Sequence, residues 1–213
     1  MNGQNKLTKS KISKKFVYLI SPNKIKSNNF YKQLDQILKL KKVAFFQLRM
    51  KKESNKNKII IGKKIKKICK KYGVKFIIND DPILAKKINA DGCHLGQRDM
   101  NILEARKLLN NKIIGITCHN SIRLAKIALK NEADYLAFGA FNSSKTKKVK
   151  YRASTNLLKK ARKITKSPIV AVGGINSKNY KKLLLNKANF LAISGYIWNN
   201  KKLNPKKAIN KLV

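Results

Sequence analysis

Four of the nine acidic residues in this chain fall in one short run, from Ile77 to Asp99. They are Asp80, Asp81, Asp91 and Asp99, where random scatter would put roughly one. Carboxylates this scarce and this clustered suit a divalent cation. Mg2+ is held by one or two carboxylates and completes its shell with water and substrate phosphate oxygens. Asp80 and Asp99 are the expected metal ligands. Asp81, just before Pro82, reads as a helix cap, and Asp91 and Asp134 read as turn residues ahead of their strands.

Groups that could hold an anion lie around that pair. In Gln47-Leu-Arg49-Met-Lys51 the period of two of a strand puts three polar side chains on one face. Such a set suits an anion and a hydrogen-bonding ring, although the run also fits a basic strand end meeting solvent. Gly139-Ala-Phe-Asn-Ser-Ser144-Lys-Thr146-Lys147 offers hydroxyls and a lysine to a phosphate. At Gly173-Gly174 and Ile193-Ser194-Gly195 the backbone can approach an anion closely, so that its amides bind it.

His94 sits inside a strand pattern and reads as a packed, hydrogen-bonded residue. No Ser–Asp pair accompanies it, so a nucleophilic triad is not expected. Thr117-Cys118-His119-Asn120 is expected to follow a strand, with the Thr117 hydroxyl at the mouth of the fold and Asn120 capping the next helix. Cys118 and His119 are neighbours on a strand end and should point apart.

The elements that must carry these groups alternate. Strands are expected at Phe16–Ile20, Val43–Leu48, Val74–Ile78, Gly92–Leu95, Ile113–Ile116, Tyr135–Phe138, Ile169–Val172 and Phe190–Ile193. Between them run patterns of helical period, with Ile61, Ile65, Ile68 and Cys69 on one face, Leu103, Ala105, Leu108 and Leu109 on another, and Leu124, Ile127 and Ala128 on a third. Eight strands alternating with helices predict parallel pairing, right-handed crossovers and a single (β/α)8 TIM barrel. A weak repeat agrees: Ala90-Asp-Gly-Cys-His-Leu-Gly, Ala133-Asp-Tyr-Leu-Ala-Phe-Gly and Ala188-Asn-Phe-Leu-Ala-Ile-Ser-Gly share one outline, spaced 43 and 55 residues apart. In such a barrel the active site lies at the carboxyl ends of the strands, where the polar runs above all fall. The expected organisation is a basic arm over residues 1–15 and a barrel over 16–213.

The totals bound the function. Fifty-one Lys and Arg against nine acids give a formal charge of +42. The excess is almost all Lys and is spread over every expected helix. Specific nucleic-acid readers lean on arginine forks, and Arg occurs only at 49, 98, 106, 123, 152 and 162. Three scattered cysteines lack zinc spacing and suit a reducing compartment. No apolar run approaches the ~20 residues that cross a bilayer. The expected partners are small phosphorylated substrates, with no specific nucleic acid and no membrane, and the expected location is cytoplasmic. A homo-oligomer is left open.

In order along the chain, these runs resemble the thiamine-phosphate synthase family, over nearly everything after the arm. Gln47-Leu-Arg49-Met-Lys51 is similar to its Gln-x-Arg-x-Lys run. Ile78-Asn79-Asp80 and the stretch Asp91 to Asp99 resemble its two metal-and-pyrophosphate motifs, and Gly115-Ile-Thr-Cys-His119 its Gly-x-Ser-x-His run. The resemblance implies a TIM-barrel transferase that joins an aminopyrimidine-methyl diphosphate to thiazole phosphate. It further implies that Mg2+ on Asp80 and Asp99, with Arg49, Lys51, Asn79 and Lys147, grips the pyrophosphate. Gln47, His94 and Thr117 would contact the pyrimidine. Ser144, Thr146, Gly174, Ile193 and Ser194 would seat the thiazole phosphate. Bond breaking would precede bond making, with catalysis by charge stabilisation and placement.

Departures from the family pattern are Thr117 for Ser, Ala140 for Pro, Ser144 for Thr, Asp81 at a position commonly basic or aromatic, and Ser194-Gly-Tyr-Ile for Ser-Ala-Ile. The last is loosely similar to the related thiazole tautomerases, which share the barrel, lack part of the pyrophosphate grip and often carry His where Ala140 stands. That activity is the alternative, and a polycationic nucleic-acid-binding protein is a more distant one.

Overall fold

The computed structural model describes residues 15–25, 27–143 and 150–212. Within them, eight parallel strands close into a barrel in the order β1 to β8. The strands are β1 (Val17–Ile20), β2 (Val43–Leu48), β3 (Lys75–Asn79), β4 (Gly92–Leu95), β5 (Ile113–His119), β6 (Tyr135–Gly139), β7 (Ile169–Val172) and β8 (Phe190–Ile193). Closure is made by β1 on β8, with Val17 opposite Leu191 and Leu19 opposite Ile193. The helices are α1 (Asn28–Leu38), α2 (Asn55–Lys71), α3 (Pro82–Ile88), α4 (Ile102–Leu109), α5 (Ile122–Lys130), α6 (Thr155–Ile164), α7 (Tyr180–Leu185), α8 (Gly195–Trp198) and α9 (Pro205–Asn210). The fold is the expected TIM barrel. Most of the arm, residues 1–14, lies outside the described residues.

The strands are apolar on both faces because both faces are buried. Outward residues such as Leu19, Phe46, Leu48, Phe76, Ile78 and Cys93 pack under the helices. Inward residues form a second, smaller core of Tyr18, Tyr135, Ala137, Val170 and Ala192, with Phe45 and Phe190 against it. Inside, the rings of Tyr18 and Phe45 stack at 5.2 Å and those of Phe45 and Phe190 meet edge-on at 5.0 Å. The large rings need room, and Gly115 on β5 provides it: a Cβ there would lie 1.8 Å from Cζ of Tyr135.

The caps follow the expected chemistry in part. Asp81 starts α3, accepting a hydrogen bond from Leu84 N at 2.8 Å with Pro82 in the first turn. Asp91 and Asp134 sit at the amino ends of their strands and accept from Phe76 N and Ile114 N. Asn120 does not cap α5. Ser121 does, and Asn120 instead donates to Arg152 O. Two expected core positions are exposed, Leu103 at 52% and Ile127 at 47%. The small residues Ala105, Ala125 and Ala128 face the barrel instead, so α4 and α5 pack close to it. No helix among the described residues is long and apolar enough to cross a membrane.

Candidate active site

At the carboxyl ends of β2, β3 and β4 the charged groups meet. Lys51 Nζ lies 2.7 Å from Asp80 Oδ2. Asp80 has φ 65°, in the left-handed region that Asp tolerates better than most residues. Its backbone N–H donates to His94 O, which ties the end of β3 to β4. Asp99 turns back over the end of β4 and accepts from Gly96 N at 2.6 Å.

The two carboxylates interact closely enough to set each other's protonation. Burial pushes both up. Lys51 and the hydrogen bond shared with Asp99 bring Asp80 below the usual carboxylate value, whereas Asp99 stays above it, with Asp80 as a negative neighbour. Two carboxylates driven apart in this way suit a cation placed between them. Among the described residues no third His, Cys, Asp or Glu joins the pair. A divalent cation held by two carboxylates would complete its shell with water and phosphate oxygens.

Arg49 and Asn79 stand beside this grip. Arg49 is half-buried, reaches Asn23 Oδ1 at 3.4 Å, and donates its backbone N–H to Ser21 Oγ. Asn79 lines, with Lys51 and Asp80, a cavity of about 270 Å3 at the rim.

Beneath the grip a chain of hydrogen bonds crosses the barrel. Gln47 Nε2 donates to Tyr18 Oη at 3.2 Å, Tyr18 Oη meets Tyr135 Oη at 2.8 Å, and Tyr135 Oη meets His94 Nδ1 at 2.8 Å. His94 Nε2 then meets Thr117 Oγ1 at 2.8 Å. Burial holds His94 neutral, its pKa lowered to about 4 despite the opposing charge of Asp80, with Arg49 adding to the effect. It is the packed, hydrogen-bonded histidine expected. Thr117 and Cys118 do not follow β5 but lie within it, because the strand continues to His119 through a bulge opposite Phe138. Cys118 is buried and its thiol pushed up to about 12 by that burial, so it is no nucleophile. His119 packs against Tyr151, with tilted rings and centroids 4.3 Å apart.

Of the residues expected to seat the thiazole phosphate, Gly174, Ile193 and Ser194 lie at the carboxyl ends of β7 and β8. Gly173 and Gly174 have φ 105° and 59°. A Cβ on Gly174 would lie 2.2 Å from Ser143 O, so the loop after β7 packs directly on the loop after β6. Ser194 Oγ donates to Ser21 O at 3.1 Å, and Ile193 is buried under the helices. Both therefore present backbone rather than side chain to the mouth. Ser144, Thr146 and Lys147 lie outside the described residues. Tyr18 and Tyr135 are not apparent as site residues in the sequence: each sits in an apolar run, and the two lie 117 residues apart.

Residues 17–197 match the family described as TMP-TENI, thiamine monophosphate synthase. A thiamine-phosphate synthase of Pelagibacter ubique (strain HTCC1062) is 70% identical over 206 residues, covering 97% of this chain and 100% of that protein. One of Rhodospirillum centenum (strain ATCC 51521 / SW) is 36% identical, over 86% of this chain and 89% of its own. The solved thiamine phosphate pyrophosphorylase of Pyrococcus furiosus superposes with a TM-score of 0.82 at 27% identity, covering 93% and 94% of the two chains. This chain belongs to the thiamine monophosphate synthase family.

Proposed function

We propose that the chain makes thiamine phosphate by transferring the aminopyrimidine-methyl group of a pyrimidine diphosphate to the ring nitrogen of thiazole phosphate. The observation that carries the mechanism is the juxtaposition of the Lys51–Asp80–Asp99 cluster with the uncharged Gln47–Tyr18–Tyr135–His94–Thr117 chain. One end of the site holds charge and the other holds an uncharged polar ring.

The C–O bond between the methylene and the diphosphate breaks, and its electron pair leaves with pyrophosphate. Arg49, Lys51 and Asn79 bind the phosphate oxygens and stabilise the charge that develops there. When bound to Asp80 and Asp99, Mg2+ supplies further neutralisation of those oxygens. The amino group of the pyrimidine shares the positive charge left on the methylene. Gln47 and the Thr117 hydroxyl orient the ring, and neutral His94 holds Thr117 without adding a repelling charge. The thiazole nitrogen donates its lone pair to the methylene, closing the C–N bond. No proton moves in these steps, so a site without a general base is sufficient. Gly173, Gly174 and the backbone at Ile193 and Ser194 seat the thiazole phosphate across the mouth.

The experiment supplies purified protein with both substrates, and with each alone. Thiamine phosphate and pyrophosphate in equal amounts, formed only with both, are expected. Conversion of a thiazole phosphate alone, with no pyrophosphate released, would instead favour the tautomerase reading. Nucleic-acid binding that disappears at physiological salt is the behaviour of any polycation and supports neither.

A further inference from the structure

The 270 Å3 cavity does not sit over the barrel axis. It lies to one side, between the ends of β2 and β3 and the helices α2 and α3. Its floor is Leu48, Met50, Ile78 and Leu84, all outward-facing core residues, and its rim is Lys51, Asn79, Asp80 and Lys58. Three of those rim residues already belong to the pyrophosphate grip. Lys58 does not.

Lys58 is unusual among the lysines of this chain. Nearly all are exposed, but four among the described residues are half-buried: Lys42, Lys58, Lys66 and Lys112. Three of them fasten distant parts of the fold together. Lys42 Nζ donates to Leu212 O, Lys66 Nζ to Ile88 O and Lys112 Nζ to Asn89 Oδ1. Lys58 fastens nothing. Its Nζ reaches Asn55 Oδ1, one turn away on the same helix, at a long 3.4 Å, and its charge also acts on the nearby Glu53 carboxylate. With Lys51, Asn79 and Asp80, Lys58 lines the mouth of a recess whose floor is apolar.

We propose that Lys58 is a further pyrophosphate-binding residue, and that the lateral cavity receives the pyrophosphate as it leaves the methylene carbon. The inference rests on the function proposed above and extends it. In that reaction a leaving group that stays on the reaction axis can recombine with the pyrimidine cation. The cavity opens directly beside Asn79 and Asp80 and gives it a place to go. At about 270 Å3 the space has room for a small anion.

The test is calorimetric binding of inorganic pyrophosphate, with Mg2+, to the wild type, Lys58→Met, Lys58→Arg and Lys159→Met. Lys159 lies exposed on α6, across the barrel, and controls for the general attraction of a polycation. Lys58→Met is expected to weaken binding about tenfold, the worth of one charge-assisted hydrogen bond. Lys58→Arg should restore most of it and Lys159→Met should leave it unchanged. Equal losses in Lys58→Met and Lys159→Met, or no loss in either, would overturn the proposal. So would a wild type that does not bind Mg2+-pyrophosphate. The two readings fail separately. Pyrophosphate binding that depends on Lys58, in a protein that makes no thiamine phosphate, would refute the synthase and keep the anion site. Thiamine phosphate synthesis with pyrophosphate affinity untouched by Lys58→Met would do the reverse.

Discussion

Lys51 Nζ lies 2.7 Å from Asp80 Oδ2, joining the carboxyl ends of β2 and β3 at the barrel mouth. In the reaction proposed, both partners are needed elsewhere, the lysine by a diphosphate and the carboxylate by a cation. Lys51 is therefore a competitor for the metal until the substrate arrives. Lys51→Met is expected to bind Mg2+ alone about two- to fivefold more tightly, the worth of an exposed ion pair. The same variant should raise KM for the pyrimidine diphosphate about tenfold or more, since a charged phosphate contact is lost. Mg2+ titration of the free protein, followed by steady-state kinetics, reads both. Weaker Mg2+ binding in the variant would contradict the competition.

His94 predicts how stability depends on pH. The folded protein keeps the ring neutral down to about pH 4, chiefly by burial. The unfolded chain protonates it near its ordinary value of about 6.5. Below that value the unfolded state gains a proton that the folded state cannot take, so stability present at neutral pH is lost as pH falls. The slope is about 1.4 kcal/mol per pH unit, about 3 kcal/mol in all between about pH 6.5 and 4. With only nine carboxylates and two histidines in the chain, this limb has little to obscure it. Denaturant unfolding at pH 7 and pH 5 should show it, and His94→Gln should flatten it. An equal decline in that variant would assign the effect to other groups.

Gly115→Ala tests the buried chain without removing any of its hydrogen-bonding atoms. The new methyl would overlap the Tyr135 ring, so the ring must move away from His94 and Tyr18. Each buried hydroxyl or ring nitrogen left without a partner costs about 1–3 kcal/mol. Stability should fall by about that amount, and kcat should fall while KM for thiazole phosphate stays unchanged. Wild-type kcat in a folded Gly115→Ala protein would show that the chain does not position the pyrimidine.

Much of this was legible in the residues. All eight strands were visible as short apolar runs, and the polar residues following them marked the mouth. Asp81 was readable as a cap because Pro82 follows it, and Asp80 and Asp99 as a pair because acids are so rare here. The inner network was not legible. In a strand buried on both faces, period two no longer separates inside from outside, so Tyr18 and Tyr135 look like any core aromatics. Their pairing depends on barrel register and on the space left by Gly115. The bulge that carries β5 on to His119 was hidden for the same reason, since Thr117-Cys118-His119 reads as polar loop until β6 pairs with it. Lys58 was lost among the other lysines, and what distinguishes it from the three others that are half-buried is its place on the cavity.

The most direct test is Mg2+ dependence of thiamine phosphate formation in the wild type, Asp80→Asn and Asp99→Asn. The wild type should require Mg2+. Each variant should stay folded, with unfolding transitions close to the wild type, and lose about 10²-fold or more in kcat, the loss seen when one main stabiliser of developing charge is removed. Undiminished, Mg2+-dependent turnover in both variants would contradict the account, because the metal would then be held somewhere other than between Asp80 and Asp99.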